Sequence, residues 1–281
     1  MIPKVMNFFW GNGPHMSFMR WLTLRSFRSC NPNWDIILHE PPAPCPSKTW
    51  TTHEEDDFGF NGENYYDHIN DLRIERRSWT PPGPRMSAAH ASDFFTWSLL
   101  SSQGGYYSDM DVLYVNSMDR VTDGVNDGDA MFCLQNDGMA IGFLAACPEC
   151  PIFADVNRAA AKHFTNNGYQ CAGTQAVYNA FKVVVTKSNG GYSGKLALNA
   201  MRRMYPQLRV VSIDGDSIYH YDWLTYVKMY DSSHVENVLP NHVGYHWFGG
   251  APISQGWNRR LTASSIRKFN NAFCRLAARY V

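Results

Sequence analysis

The sequence predicts an α/β domain built on a mainly parallel sheet, and three observations predict it. Residues 3–39 read strand, helix, strand, the order of a βαβ unit. A further helix over 86–102 runs into Gln103-Gly104-Gly105 and then into another short strand, as glycine past a helix C-terminus should allow. Of the 281 residues, 44% are hydrophobic and 14% aromatic, enough for one substantial core, so a single domain over 1–281 is expected.

The elements follow in order. PKVMNFFW (3–10) is an apolar, aromatic strand stopped by Gly11-Asn12-Gly13-Pro14. From His15 to Ser29, Met16, Met19, Trp21, Leu22 and Phe27 fit one helical face, with Arg20, Arg25 and Arg28 outside it. Asn31-Pro32-Asn33 breaks that helix, and WDIILH (34–39) reads as a second strand. Residues 40–84 change character: prolines cluster at both ends around HEEDD (53–57), with a helix within Tyr65–Trp79, and the segment is expected to be an insertion on the sheet. Met131–Ala146 alternates around Asn136-Asp137-Gly138, a hairpin signal. Pro151–Phe164 and Gly173–Phe181 read as helices, Val183–Thr186 and Leu208–Ile213 as strands. Residues 214–256 are aromatic-rich and irregular. Residues 258–281 are expected to form one basic C-terminal helix, with Ile266, Phe269, Phe273 and Leu276 on one face and six Lys or Arg but no acidic residue.

Composition excludes some function classes. Lys+Arg and Asp+Glu balance at 25 each, so no global field recruits nucleic acid or an anionic membrane, and such attraction has to be local. No run approaches the roughly 18 apolar residues of a membrane span, and the N-terminus lacks a long apolar core of the secretory type. Seven scattered cysteines suit a reducing compartment better than a disulfide framework, and Cys147-Pro-Glu-Cys150 has no second pair at zinc-site spacing. A cytoplasmic location is expected.

The chemistry concentrates at GGYYSDMDVLY (104–114). On an extended segment, residues two apart point the same way, so Asp109 and Asp111 would face one site while Met110 turns into the core. Two hard oxygen ligands from one turn suit Mg²⁺ or Mn²⁺. Their place beyond the C-terminal end of a strand is where an open α/β sheet binds ligands. A short D-x-D by itself is also compatible with a capped turn.

The surroundings of the pair narrow the choice. ASDFFTWSLLSSQGGYYSDMDV (91–112) resembles S-D-x-x-R, then L, then G-G-x-Y-x-D-x-D, the signature of the glycosyltransferase family with the DxD sugar-binding motif. That family includes yeast-type initiating mannosyltransferases, bacterial capsular sugar transferases and clostridial glucosylating toxins. The opening IPKVMNFFWGNG with NPNWDIILHE is similar to the family's I-P-K-x-x-H-x-x-W and N-P-x-W, and HWFGGAPISQGW more loosely to H-x-x-x-G-S-W. The resemblance implies a GT-A fold, Rossmann-like, binding a nucleoside diphosphate sugar together with Mn²⁺ or Mg²⁺. It implies Asp111 as direct metal ligand, Asp109 on sugar or ribose and on the metal through water, and His246 completing the site. Phe9 and Trp10 are implied at the donor base, with Asp93 at sugar or ribose hydroxyls and Trp257 also on the donor side. Retention at the anomeric carbon is implied as well, with front-face attack by the acceptor hydroxyl.

The chain departs from the pattern in places. Thr96 stands where the family has arginine, and Arg76, Arg77 and Arg85 are candidate substitutes. Residues near Asn7 and Phe8 replace the opening histidine, and the final G-S-W is stretched over Gly249, Gly250, Ser254 and Trp257. The expected acceptor is a hydroxyl-bearing glycan or lipid-linked glycan, with Asn136 and Asp137 as contacts. The basic C-terminus leaves open a nucleic acid, such as hydroxylated viral DNA, or a membrane surface. Competing classes are a metal-dependent phosphodiester or pyrophosphate hydrolase and a non-catalytic sugar-nucleotide-binding protein.

Overall fold

The computed structural model describes all residues except 47–59, 61, 84–85, 124, 166–167 and 184–192. Its centre is a seven-stranded sheet in the order β3-β2-β1-β4-β7-β6-β8. The strands are β1 (Val5–Phe9), β2 (Asp35–Glu40), β3 (Glu75–Ser78), β4 (Gly105–Ser108), β6 (Ala130–Gln135), β7 (Gly138–Ala146) and β8 (Val210–Asp214). β1 runs parallel to β2 and to β4, β2 to β3, and β6 to β8, while β7 alone is antiparallel to its neighbours. The expected mainly parallel sheet flanked by helices is therefore present. A second, two-stranded antiparallel sheet joins β5 (Val112–Tyr114) to β9 (Gly244–His246), with Val112 opposite His246.

Two apolar layers cover the main sheet because successive strand side chains alternate faces. Phe9, Tyr107, Phe132 and Leu144 point to one layer, where α2 (Ala88–Ser102), α4 (Pro151–His163), α5 (Thr174–Ala180) and α6 (Gly194–Met204) pack. Met6, Phe8, Tyr106 and Phe143 point to the other, with Leu24 and Phe27 of α1 (Phe18–Cys30). Serine N-caps start the helices that matter most for the cavity. Ser17 Oγ accepts from Arg20 N–H, and Ser87 Oγ from His90 N–H. Gly104, which ends α2, has φ +68°, and a Cβ there would meet Ala146 O at 2.6 Å, so only glycine fits the turn into β4. The 136–138 hairpin is present, with left-handed Asn136 (φ 48°) and Asp137 (φ 66°), the backbone that matches strand twist in a two-residue turn.

Several expectations are corrected. Within the expected 40–84 insertion, Asp67–Leu72 is a 3-10 helix and Glu75–Ser78 is the edge strand β3, so this part extends the sheet. All four β3 side chains are exposed and polar, which hides their strand character from periodicity but suits an edge. HEEDD lies outside the described residues, as does most of the expected Val183–Thr186 strand. The basic C-terminal helix is not one helix. It is the end of α7 (Pro252–Arg260), a 3-10 turn at Ile266–Lys268, α8 (Ala272–Ala277) and a last 3-10 turn. Asn271 Oδ1 accepts from Cys274 N–H and starts α8 afresh, while Ile266, Phe273 and Leu276 still bury in a third apolar cluster with Trp247. The arginines of α1 are not simply solvated. Arg28 donates to the carbonyls of Leu72, Pro32, Trp34 and Arg73, and Arg25 to that of Tyr280. All seven cysteines are free thiols. No helix among the described residues is long and apolar enough to cross a membrane.

Candidate functional site

The C-terminal ends of β1, β4 and β6 and the start of β7 open at one edge of the sheet onto a cavity of about 410 Å³. β1 delivers Phe9 and Trp10, β4 delivers Tyr107 and Asp109, and the N-terminal half of α2 brings Ser92, Asp93 and Thr96. The Asp pair sits in the turn between β4 and β5, where the chain crosses from the large sheet to the small one. Three hydrogen bonds, two of them backbone to backbone, pin that turn: Asp109 N–H to Gly142 O (2.9 Å), Thr23 Oγ1–H to Met110 O (3.0 Å) and Trp247 N–H to Asp111 O (2.8 Å). Met110 is buried in the core, as alternation predicts.

Pairing of β5 with β9 brings His246 to the same point. His246 Nε2 lies 3.0 Å from Asp111 Oδ1, and one ligand atom each from Asp109, Asp111 and His246 lie within 4.8 Å of one another. Asp111 Oδ2 accepts Gly249 N–H at 2.7 Å and stands 3.9 Å from Arg20 Nη1. The His246 contact and the Arg20 charge hold the Asp111 carboxyl well below the ordinary carboxylate range, against the cost of its burial. Asp109 goes the other way. Burial and the neighbouring Asp111 charge push its carboxyl up, although Tyr107 O–H donates to Oδ1 at 2.7 Å. Asp93 is also raised, by burial first and then by the charge of Asp109.

Gly142 makes the close approach possible, since a Cβ there would meet Asp109 Oδ2 at 2.0 Å and Tyr219 Oη at 2.5 Å. The serine of the Ser92-Asp93 pair has a structural part. Tyr107 O–H donates to Asp109, so its oxygen accepts from Ser92 O–H at 2.6 Å, and the helix thereby orients the strand-end carboxylate.

Phe9, Trp10, Asp93, Asp109, Asp111 and His246 all line the cavity. Phe9 is also core, stacked on Phe95 at 5.3 Å, and Trp10 is 3% exposed with its indole N–H on Gly13 O. Trp257 does not line the cavity: it stacks on Tyr230 at 5.7 Å, with Arg260 4.2 Å above its ring. Asn136 and Asp137 form the hairpin turn outside the cavity lining, where Asp137 accepts from Ser193 Oγ–H.

Arginine substitution resolves differently from expectation. Thr96 is buried and its hydroxyl donates back to Ser92 O. Arg76 binds Glu40 and Tyr66 and Arg77 binds Glu75, both outside the cavity lining, while Arg85 lies outside the described residues. Among the described residues, the cation lining the cavity is Arg20 of α1, its guanidinium 4.9 Å from the Trp247 ring and 6.0 Å from that of Trp10. Arg20 lies in the first turn of the capped helix, on the side that one and two turns later carries buried Leu24 and Phe27, but a charged residue flanking an apolar stripe reads from periodicity alone as solvated. Tyr219, whose ring lies 4.7 Å from that of His246, and Gln135, which donates to Tyr219 O, also escaped the sequence reading. Tyr219 comes from a segment without a recognisable pattern, and Gln135 ends the first strand of the hairpin, where alternation reports a face and not a neighbour.

The donor set of two carboxylates and one imidazole suits a hard or borderline divalent cation. His246 Nδ1 is buried and has no partner among the described residues. With three carboxyls and one arginine around the cavity among the described residues, the set fits a bound cation.

Residues 22–127 match the family model described as the glycosyltransferase sugar-binding region containing the DXD motif. A search of curated proteins returns no match. Among solved structures the chain is similar to the PaToxG glycosyltransferase (13% identity, 72% of this chain and 78% of that one, TM-score 0.43). It is similar to the glycosyltransferase GlyE of Streptococcus pneumoniae TIGR4 (9% identity, 100% and 63%, TM-score 0.43). A third likeness is to LgtC, solved with donor and acceptor sugar analogues (12% identity, 98% and 95%, TM-score 0.41).

Proposed function

From the match of residues 22–127 to the glycosyltransferase sugar-binding region with its DXD motif, we propose that the chain is a metal-dependent, retaining transferase. It moves a sugar from a nucleoside diphosphate sugar to a hydroxyl acceptor. The observation that carries this is the convergence of Asp109, Asp111 and His246 in a cavity also lined by Trp10, Arg20 and Asp93.

Mn²⁺ or Mg²⁺ held by Asp111, Asp109 and His246 would neutralise the diphosphate leaving group as a Lewis acid. The remaining work belongs to the chain. Asp111 is kept ionised by Arg20, His246 and Gly249 N–H, so it is ready to bind a cation at neutral pH. Arg20 adds a planar, permanent positive charge beside the diphosphate position. Trp10 borders the donor base at the end of β1. Asp93, half-buried on α2, accepts from sugar or ribose hydroxyls. Apolar walls keep water from the anomeric carbon, which limits hydrolysis. In front-face attack the acceptor oxygen forms its bond to that carbon as the bond to the diphosphate oxygen breaks, and the acceptor proton passes to the departing phosphate.

The acceptor is a hydroxyl-bearing glycan. The basic stripe that would favour nucleic acid or membrane is broken across four short elements, with Arg260 stacked on Trp257 and Arg275 and Arg267 bound to carbonyls. The test is incubation with Mn²⁺ and a panel of nucleotide sugars, products read by mass spectrometry. Release of nucleoside diphosphate that disappears in Asp111→Ala supports transfer. Release of a sugar phosphate, diester cleavage, or binding without turnover overturns it.

A further inference from the structure

A second cluster of ligand-type side chains stands behind the wall of the cavity. The segments 215–221 and 242–246 run side by side, tied by Val243 N–H to Ser217 O and His246 N–H to Ile218 O. Tyr219 and His246 face the cavity, whereas their neighbours His220 and His242 turn to the far side. There Asp216, His220 and His242 bring one ligand atom each within 4.8 Å of one another.

The hydrogen bonds around His242 specify which nitrogen is available. Tyr245 O–H donates to Glu236 Oε1 at 2.7 Å, so the Tyr245 oxygen accepts at its other contact, from His242 Nδ1–H at 2.8 Å. That tautomer leaves the Nε2 lone pair pointing at Asp216 Oδ2, 3.4 Å away, in a ring that is fully buried. A lone pair facing a carboxylate is unfavourable unless a cation lies between them. The spacing is informative too. Ligands at about 2.0–2.1 Å from a tetrahedral ion lie about 3.3 Å apart. The 3.4 Å between His242 Nε2 and Asp216 Oδ2 matches that spacing, whereas Asp216 Oδ1 and His220 Nδ1, 2.8 Å apart, are at hydrogen-bond distance and would part by about half an ångström around an ion. An outer carboxylate orienting a metal-bound imidazole through a hydroxyl is a recurrent supporting arrangement.

We propose that Asp216, His220 and His242 form a second metal site, distinct from the Asp109–Asp111–His246 cluster, for a borderline divalent transition ion, with Zn²⁺ the best fit. Two imidazoles with a carboxylate select such an ion over Mg²⁺ or Ca²⁺, which prefer oxygen-only shells. The site clamps residues 216–220 to the segment leading into β9 and thereby stiffens the backbone carrying Tyr219 and His246. It needs no part of the proposed transfer reaction.

The test uses the full chain with Asp109→Asn and Asp111→Asn, so that the first cluster is disabled. Titration of Zn²⁺ against a chromophoric chelator is expected to show one tight site per chain, and Co²⁺ to give the intense visible bands of tetrahedral coordination. Adding His220→Gln, and separately Asp216→Asn, should weaken Zn²⁺ binding at least about tenfold. Both side chains are partly exposed (31% and 44%), and circular dichroism checks that each variant is folded. Zn²⁺ should also raise Tm in the disabled chain and not in the chain with His220→Gln. No Zn²⁺ binding by the disabled chain, or binding and Tm shift unchanged by both added substitutions, overturns the proposal and leaves a proton as the ion between His242 and Asp216.

Discussion

His246 Nε2 lies 3.0 Å from Asp111 Oδ1 because β5 and β9 pair antiparallel with Val112 opposite His246. A two-stranded sheet of three residues each thus joins the middle of the chain to its C-terminal quarter at the point where chemistry is proposed. Gly249 N–H and Trp247 N–H both bond Asp111, so the docking of residues 244–250 fixes the carboxylate that the proposed metal would use.

Asp111→Asn is expected to lower kcat by about 10²–10³, the scale of losing one preorganised electrostatic contact. The variant should remain folded by circular dichroism, because the amide oxygen can still accept from Gly249. Transfer rates across a Mn²⁺ titration check this, and a rate within a few-fold of the parent refutes it.

Asp109→Asn should separate stability from activity. The metal-free carboxylate is disfavoured by burial and by Asp111, so the neutral amide relieves that cost. A gain of about 2–4 °C in Tm without metal is expected, roughly 1 kcal/mol for a chain of this size. Mn²⁺-dependent transfer should be lost. Calorimetry in chelator and the donor assay measure the two effects.

Arg20→Gln is expected to reduce kcat/KM for the nucleotide sugar by about 10–100-fold, or about 1.4–2.7 kcal/mol of transition-state stabilisation. Arg20→Lys should not restore it, because an ammonium cannot lie flat beside Trp247 and Trp10 as the guanidinium does. Steady-state kinetics of both variants test the point.

Gly142→Ala should displace the Asp109 carboxylate, whose Oδ2 lies 2.0 Å from the new methyl position. Metal affinity and transfer are expected to fall at least about tenfold while α2 and the sheet persist. Metal titration by calorimetry is the check.

His39 predicts an acid-side loss of stability. It is buried, with Nε2 3.0 Å from Asn7 Oδ1, and burial with the nearby Arg77 charge lowers its pKa from 6.5 to about 4. The unfolded chain therefore binds the proton more readily than the folded one between those values. Stability is complete above about pH 6.5, falls as pH drops to about 4 and is flat below, by up to about 3 kcal/mol from this group. Urea unfolding of the parent and of His39→Gln across that window should show the difference, with the variant less pH-dependent.

Local pattern made much of the fold legible. Alternation and the Asn136-Asp137-Gly138 turn determine the β6–β7 hairpin, and the apolar stripe over 15–29 determines α1, although its start at the Ser17 cap was not read. β3 and the C-terminal elements were not legible. An edge strand of Glu75, Arg76, Arg77 and Ser78 is specified by its partner β2, and the restart at Asn271 by a cap competing with helix continuation.

By itself the sequence determined a parallel α/β domain, the aspartate pair at a strand end, and the order of motifs from Trp10 through Asp93 to His246. Only the tertiary structure decided that Arg20 is the cation lining the cavity among the described residues, and that Trp257 packs on Tyr230 against the third apolar cluster instead of lining the cavity. It also decided that His242 and His246, four positions apart, serve different clusters. The reason is physical: periodicity reports which face of one element is apolar, whereas a charged site forms where faces of several elements meet, and that meeting depends on contacts distant in sequence.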